Sequence, residues 1–373
     1  MKINDFNLER YFAKYEFKAR HLLSSSDCES IKVQELLRMA DPECLDLWQN
    51  LKLGYTDTKG HPLLRNEISV LYNEIKTEDI IVMAPEEGIF ITLNVLLNPG
   101  DHVIVLDPLY QSLSEIPKAM GCEVTKWPVS LGNNKWSLNI SFLIDNIKQN
   151  TKLIIINFPH NPTGFIPEAN DYKSIIEIAR ENKIYLFSDE MYRYLEFTKS
   201  YFYESICDLY ENGIVLSGLS KSFGLPGLRT GWLASRNNDL IKKFESFKDY
   251  TTICNSSVSE ILSIIALRNK DQIIGRNLNL IIENITFIKD LFSRHTDLFT
   301  WIESKGSSVA FPQLNERIPA DDFCKKLIDQ KSIMLLPGSI FNYPGNHFRV
   351  GLGRKNSKEI LGELDSFLDG FQY

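Results

Sequence analysis

The middle of the chain alternates short, continuously apolar runs with segments of helical period, and few folds accommodate that rhythm. The runs DIIVMA (79–84), HVIVLD (102–107), KLIIINF (152–158), IYLFSD (184–189) and GIVLSG (213–218) have no polar face, so each needs cover on both sides. Between two of them, YKSIIEIARENK (172–183) places its apolar residues at helical spacing. The alternation predicts an α/β fold in three layers, with a mostly parallel sheet between helices. Ligands of such sheets collect beyond the carboxyl ends of the strands, which singles out the polar residues closing these runs: Asp107, Asn157, Asp189 and Ser217.

Beyond residue 255 the texture changes. Ile273, Ile274, Leu278, Ile281, Ile285 and Ile288 repeat at helical spacing within a long segment from Asp271 to Arg294. Shorter strand signals follow in SVAFPQL (308–314), SIMLLPG (332–338) and HFRVGLG (347–353). The pattern predicts a large domain over 40–270 and a smaller α+β domain assembled from 1–39 plus 271–373.

Composition narrows the function classes. Of 373 residues, 43% are hydrophobic and 24% charged, the profile of a globular protein able to bury a large core. The net charge of −7 and the absence of a long basic run argue against a nucleic-acid partner. No stretch has the roughly 20 apolar residues that a bilayer span needs, and the charged N-terminus lacks the apolar stretch of a signal peptide. The cysteines at 28, 44, 122, 207, 254 and 324 form no C-x-x-C pair, so neither a metal knuckle nor a disulfide framework is expected. A reducing cytoplasm fits these features.

The chemistry concentrates in a few residues. In SGLSKSFGLPGLRTGW (217–232), Lys221 stands among small and apolar neighbours. A desolvated lysine favours its neutral amine, a nucleophile for Schiff-base formation with an aldehyde. Asp189 closes the strand IYLFSD, where a carboxylate can hold the proton of a ring nitrogen; a helix N-cap is its bland alternative. Tyr192 and the Asn161 of FPHNPTG (158–164) can hydrogen-bond a phenolate oxygen. Arg229, eight positions after Lys221, and the Ser220 hydroxyl suit a phosphate. Arg349 in HFRVGLG can take a carboxylate in bidentate fashion, unless it is an exposed edge-strand residue. His160 reads as a structural histidine near the rim.

In order and separation, Asn161, Asp189, Tyr192, Lys221, Arg229 and Arg349 resemble the active-site residues of fold-type I pyridoxal-phosphate enzymes, specifically class I/II aminotransferases. LGYTDTKGHPLLRNEI (53–68) and NPGDHVIVLDPLY (98–110) are similar to two further segments of that family. The resemblance implies a seven-stranded sheet, pyridoxal 5′-phosphate as cofactor, and no metal. It implies that Lys221 carries the cofactor as an imine and shuttles a proton, that Tyr110 stacks on its ring, and that Asn161 and Arg349 also meet the substrate. Tyr55 would reach the neighbour's cofactor phosphate across an isologous homodimer. The implied reaction, in amino-acid metabolism, moves an amino group from an L-amino acid to a 2-oxo acid by a ping-pong route. A lyase or a cyclase of the capreomycidine-synthase kind is the alternative on the same fold. A regulatory protein on a retired enzyme scaffold and a dinucleotide-dependent oxidoreductase are weaker readings. The intact Lys, Asp and Arg set speaks against the first, and no G-x-G-x-x-G follows the first strand for the second.

The chain departs from the family's pattern at three places. APEEGIFITLNVLL (84–97) puts Glu86 and Glu87 where a helix N-terminus would receive the cofactor phosphate; we expect both side chains to turn away and the backbone amides to bind it. Gly218 replaces a phosphate-binding serine, leaving that task to Ser220 or Ser217. Ser25, Ser26 and Asp27 in LLSSSDCES (22–30) are expected to be an N-cap series opening a helix over 31–40, the alternative being that they face a polar or cationic substrate side chain.

Overall fold

The computed structural model describes residues 2–370. Its central sheet contains β1 (Ile80–Met83), β2 (His102–Asp107), β3 (Glu123–Gly132), β4 (Lys135–Leu138), β5 (Thr151–Asn157), β6 (Tyr185–Asp189), β7 (Gly213–Gly218) and β8 (Gly231–Ala234). They lie in the order β1-β8-β7-β6-β5-β2-β3-β4. From β7 to β3 all neighbours are parallel. β8 runs antiparallel to both β1 and β7. The expected seven strands are present, and a hairpin adds β4 as an eighth at the edge. Its turn is Asn133-Asn134, with φ of 51° and 56°, the left-handed pair a two-residue hairpin demands.

Alternate residues of each strand feed opposite layers, as the apolar runs require. Ile80, Val82, Ile104, Leu106, Ile154 and Ile156 belong to one core, whereas Ile81, Met83, Val103, Val105, Leu153 and Ile155 belong to the other. A third core gathers Leu23 and Cys28 with residues from Ile281 to Leu368. The helix Lys270–Arg294 joins the lobes: Ile273 and Ile274 pack into the first core, Ile281, Ile288 and Leu291 into the third. In that lobe, Phe348–Gly351 is the middle strand of a small antiparallel sheet, between Val309–Ala310 and Leu336–Pro337.

The N-terminus crosses between the lobes. Asn7 N donates to Gln111 Oε1 at 2.9 Å and Gln111 Nε2 to Asp5 O at 2.8 Å, while Tyr11 Oη donates to Leu335 O at 3.0 Å. The helix Asn7–Tyr15 is thereby strapped over the carboxyl edge of the sheet.

Candidate active site

Register brings the chemistry to that edge. Asn157 and Asp189 are paired neighbours at the ends of β5 and β6. Asn157 Nδ2 donates to Asp189 O at 2.7 Å, and its Oδ1 accepts from Asn161 N at 2.8 Å. One buried amide therefore sets both the strand end and the FPHNPTG turn. Above them opens a cavity of about 560 Å³, walled by the N-terminal helix and by Arg349 and Arg354 from the smaller lobe.

Most of the residues singled out in the sequence meet on this cavity: Asn161, Asp189, Tyr192, Ser220, Lys221, Arg229, Arg349 and Tyr110. Lys221 Nζ donates to Ser26 Oγ at 2.8 Å. Burial holds its ammonium below the ordinary range, the Arg349 guanidinium adds to that, and Asp27 opposes it. Burial likewise pushes the Asp189 carboxyl up to about 7, against the Met191 amide that donates to its Oδ1 at 3.1 Å. Arg349 is 1% exposed and sits on the middle strand, so the edge-strand alternative falls. Its Nη1 donates to Asn161 Oδ1 at 3.2 Å and its Nη2 to Ser24 O at 2.8 Å, and no carboxylate pairs with it among the described residues. With Oδ1 accepting from Arg349, the donor Nδ2 is the group of Asn161 left for a ligand.

At the phosphate end one expectation holds and one is corrected. Glu87 does turn away, accepting from the Thr251 hydroxyl and from Thr252 Oγ1 at 2.8 Å, so its side chain has no part in the cavity. Glu86 instead lines the cavity. Burial pushes its carboxyl up, partly offset by the Ser112 and Tyr110 hydroxyls, which favours a neutral form beside an anion. No side chain caps the helix Pro85–Leu96 that begins here, so its first-turn amides face the same end. Gly218 has a packing reason: a Cβ there would lie 2.9 Å from Gly231 Cα across the β7–β8 pair. The Ser217 hydroxyl is buried and contacts Glu190 O at 3.4 Å, so of these two serines it is Ser220 that lines the cavity.

Ser25, Ser26 and Asp27 are corrected too. They cap no helix; the nearby helix is only Val33–Leu37, with Lys32 preceding it. The segment instead runs beside Phe348–Gly351, where Gly351 N donates to Leu23 O at 2.7 Å and any side chain at Gly351 would collide with Ser25 O. That seat turns Ser26 and Asp27 into the cavity. His160 is wholly buried beside Thr163 Oγ1 at 2.7 Å and off the cavity; burial pushes its imidazole down to about 4, so it stays neutral. Asp107 pairs with Lys126 at 2.6 Å, also away from the cavity. Tyr55 is 92% exposed and does not line this chain's own cavity. Sequence reasoning missed Glu9, Phe12, Glu16 and Arg354, which line the cavity. Glu9, Phe12 and Glu16 share a helical face by spacing, but nothing in the sequence says what that face meets.

The polar walls fit pyridoxal phosphate. Tyr192 Oη and Ser220 Oγ are buried on the cavity without a hydrogen-bond partner among the described residues, although buried hydroxyls are ordinarily paired. Tyr192 and Asn161 Nδ2 suit the cofactor's phenolate oxygen, Asp189 its ring nitrogen, and Lys221 its aldehyde. Ser220, Arg229 and the amides after Pro85 suit its phosphate. A sheet of this topology with such a cavity at its carboxyl edge defines a pyridoxal-phosphate enzyme of the transferase fold.

Comparison with known proteins narrows the class. Residues 38–362 match the family "Aminotransferase class I and II", and the chain belongs to it. It is 28% identical over 308 residues to the aspartate aminotransferase of Sulfurisphaera tokodaii, covering 77% of this chain and 74% of that protein. It is 25% identical over 352 residues to the capreomycidine synthase of Streptomyces vinaceus, covering 94% and 88%. A crystal structure of a PLP-dependent aminotransferase from Streptococcus suis 89-1591 superposes with a TM-score of 0.92 at 30% identity, covering 100% of both chains. The chain is accordingly a pyridoxal-phosphate-dependent aminotransferase by family.

Proposed function

We propose that the protein moves an amino group between an L-amino acid and a 2-oxo acid by a ping-pong route, acting as a homodimer in the cytoplasm. One observation carries the reading of the reaction: the Lys221 amine, depressed by burial, opens onto the same cavity as Asp189 and a buried Arg349 that lacks a carboxylate partner. Pyridoxal phosphate, when bound, supplies an electron sink for the pair left when the Cα proton departs. Arg349 grips the α-carboxylate. Lys221, its ammonium held below the ordinary range by burial, accepts the Cα proton and returns it, its amine aimed by Ser26. Asp189 holds the ring nitrogen's proton. Phe6, Tyr110 and the N-terminal helix shut out water.

The dimer reading is supported by exposed apolar residues on two joined loops. Leu53 and Tyr55 are 86% and 92% exposed, Tyr250 is 90% exposed, and Thr56 Oγ1 donates to Asn255 O at 3.1 Å to hold the loops together. The compartment reading is supported by six free thiols. The likeness to capreomycidine synthase keeps one rival in view, a different fate of the substrate at the same site.

The test is product analysis on the holoenzyme. Stoichiometric exchange of amino acid and 2-oxo acid is expected; ammonia with an unpaired keto product, or a cyclised amino acid, overturns the transfer reading. Lys221→Ala should lower kcat roughly 10⁴-fold and abolish the visible absorbance of lysine-bound cofactor. Sedimentation should give a dimer.

A further inference from the structure

The charges facing the cavity do not balance within the chain. If the site works as proposed above, Lys221 serves the cofactor aldehyde, Asp189 the ring, Arg229 the phosphate and Arg349 the substrate's α-carboxylate. Arg354 is already paired: its Nη2 lies 2.9 and 3.1 Å from the two oxygens of Asp27. Glu86 belongs to the phosphate end, beside Tyr110 and Ser112. That leaves Glu9, which accepts from Tyr110 Oη at 3.4 Å, and Glu16 on the cavity wall, neither with a basic side chain within 4.0 Å among the described residues.

These two carboxylates have a defined setting. Seven positions apart, they lie two helical turns from each other, with Phe12 between them on the same wall. Burial and the nearby Asp27 and Glu9 carboxylates push the Glu16 carboxyl up, against the pull of Arg354 and Lys221. An acidic cluster alone would mean little. Here the same cavity holds two independent marks of a ligand: Arg349, 1% exposed with its Nε unbonded, and Tyr192, 3% exposed with its hydroxyl unbonded. The cavity is thus built to receive a ligand, and the roof acids line that same cavity.

We propose that the amino donor carries a cationic side chain, an amine or guanidine, received between Glu9, Glu16 and Asp27. The carboxylates favour a cation. A dicarboxylate donor would instead bring a third negative group against Glu9 and Glu16, with Arg354 already engaged by Asp27. This specificity differs from that of the Sulfurisphaera relative, named as an aspartate aminotransferase.

The inference rests on the aminotransferase reading, so its test separates the two. kcat/KM is measured on the holoenzyme for two isosteric pairs, L-arginine against L-citrulline and L-ornithine against L-norleucine, and for L-aspartate. The thermal shift each amino acid gives is recorded in parallel. Cationic donors should exceed their neutral partners tenfold or more, about 1.4 kcal/mol, and the Glu9→Gln, Glu16→Gln double variant should bring that ratio below threefold. Circular dichroism and cofactor absorbance check that this variant is folded and loaded. Equal rates within each pair, a preference for aspartate, or a ratio that survives the double substitution overturns the inference while leaving transfer intact. If no donor is transferred but arginine still raises the melting temperature more than citrulline, the reaction reading fails and the side-chain reading stands. If neither shifts it, the inference falls.

Discussion

At the floor of the cavity, Asn157 and Asp189 end strands inside an eight-stranded sheet, and Lys221 follows three residues after β7. At the roof, Glu9, Phe12 and Glu16 belong to a nine-residue helix and its C-cap, held by a few hydrogen bonds to Gln111 and Leu335. Groups at the floor are fixed by ladder bonds and by cores on both faces, so their spacing cannot drift. The roof is secured at two ends and buries little: Leu8 is the one fully buried residue of its helix. The contrast follows the division of labour. Chemistry common to all amino acids needs groups held tightly, whereas choice among side chains can reside on an element that moves or mutates without disturbing the sheet.

The sharpest challenge to this contrast is at the floor. Asp189→Asn should lower kcat roughly a hundred- to thousandfold with every donor, since it removes a charge aimed at the ring rather than a contact to a side chain. A loss confined to one donor class would break the comparison. The same substitution has a signature in the cofactor-free protein. Burial raises the Asp189 carboxyl to about 7, so the folded chain retains a proton that the unfolded chain releases near pH 4. Stability is therefore full below that lower value and declines as pH rises toward 7, by roughly 4 kcal/mol at most from this group. Melting temperatures measured across pH 4.5–7.5 should fall less steeply in the Asn variant; an unchanged slope would mean Asp189 does not titrate there.

Next in size is the wall between floor and roof. Arg349→Ala should raise KM about 10- to 100-fold for all amino acids alike, the worth of a charge-assisted pair, with a smaller change in kcat. An effect limited to acidic donors would show that Arg349 reads a side chain and would move it to the roof's role. The smallest effect is expected at Glu87. Its side chain is tied to Thr251 and Thr252, outside the cavity. Glu87→Gln should leave cofactor affinity, followed by fluorescence titration, within about twofold; a larger change would place its charge in the phosphate site after all.

The same two regions mark how far the sequence could be read. Floor residues were legible because each sits at a fixed place relative to a strong local signal: Asp189 ends an apolar run, Asn161 stands in a Pro-Gly turn just after another, and Lys221 follows a third. Apolar periodicity and turn chemistry are local, so the sequence carries them directly. The roof had local signals that pointed elsewhere. SSSD before an apolar stretch looks like a helix cap, yet the packing of that segment along Gly351 turns Ser26 to Lys221 and Asp27 to Arg354. Glu86 and Glu87 are adjacent and chemically alike; only the loop bearing Thr251 and Thr252, more than 160 positions away, distinguishes the one that leaves the cavity from the one that lines it.

By itself, then, the sequence determined the α/β layering and most of the residues that meet on the cavity, the lysine among them, because hydrophobic period and short motif spacing act within a few residues of chain. Tertiary structure alone decided which acids line the cavity, that Arg349 is buried on a middle strand, and that the segment from Phe6 to Glu16 forms a wall of the cavity. Those outcomes depend on contacts between segments hundreds of positions apart, and the free energy that selects them comes from packing and charge pairing across that distance, which no local pattern encodes.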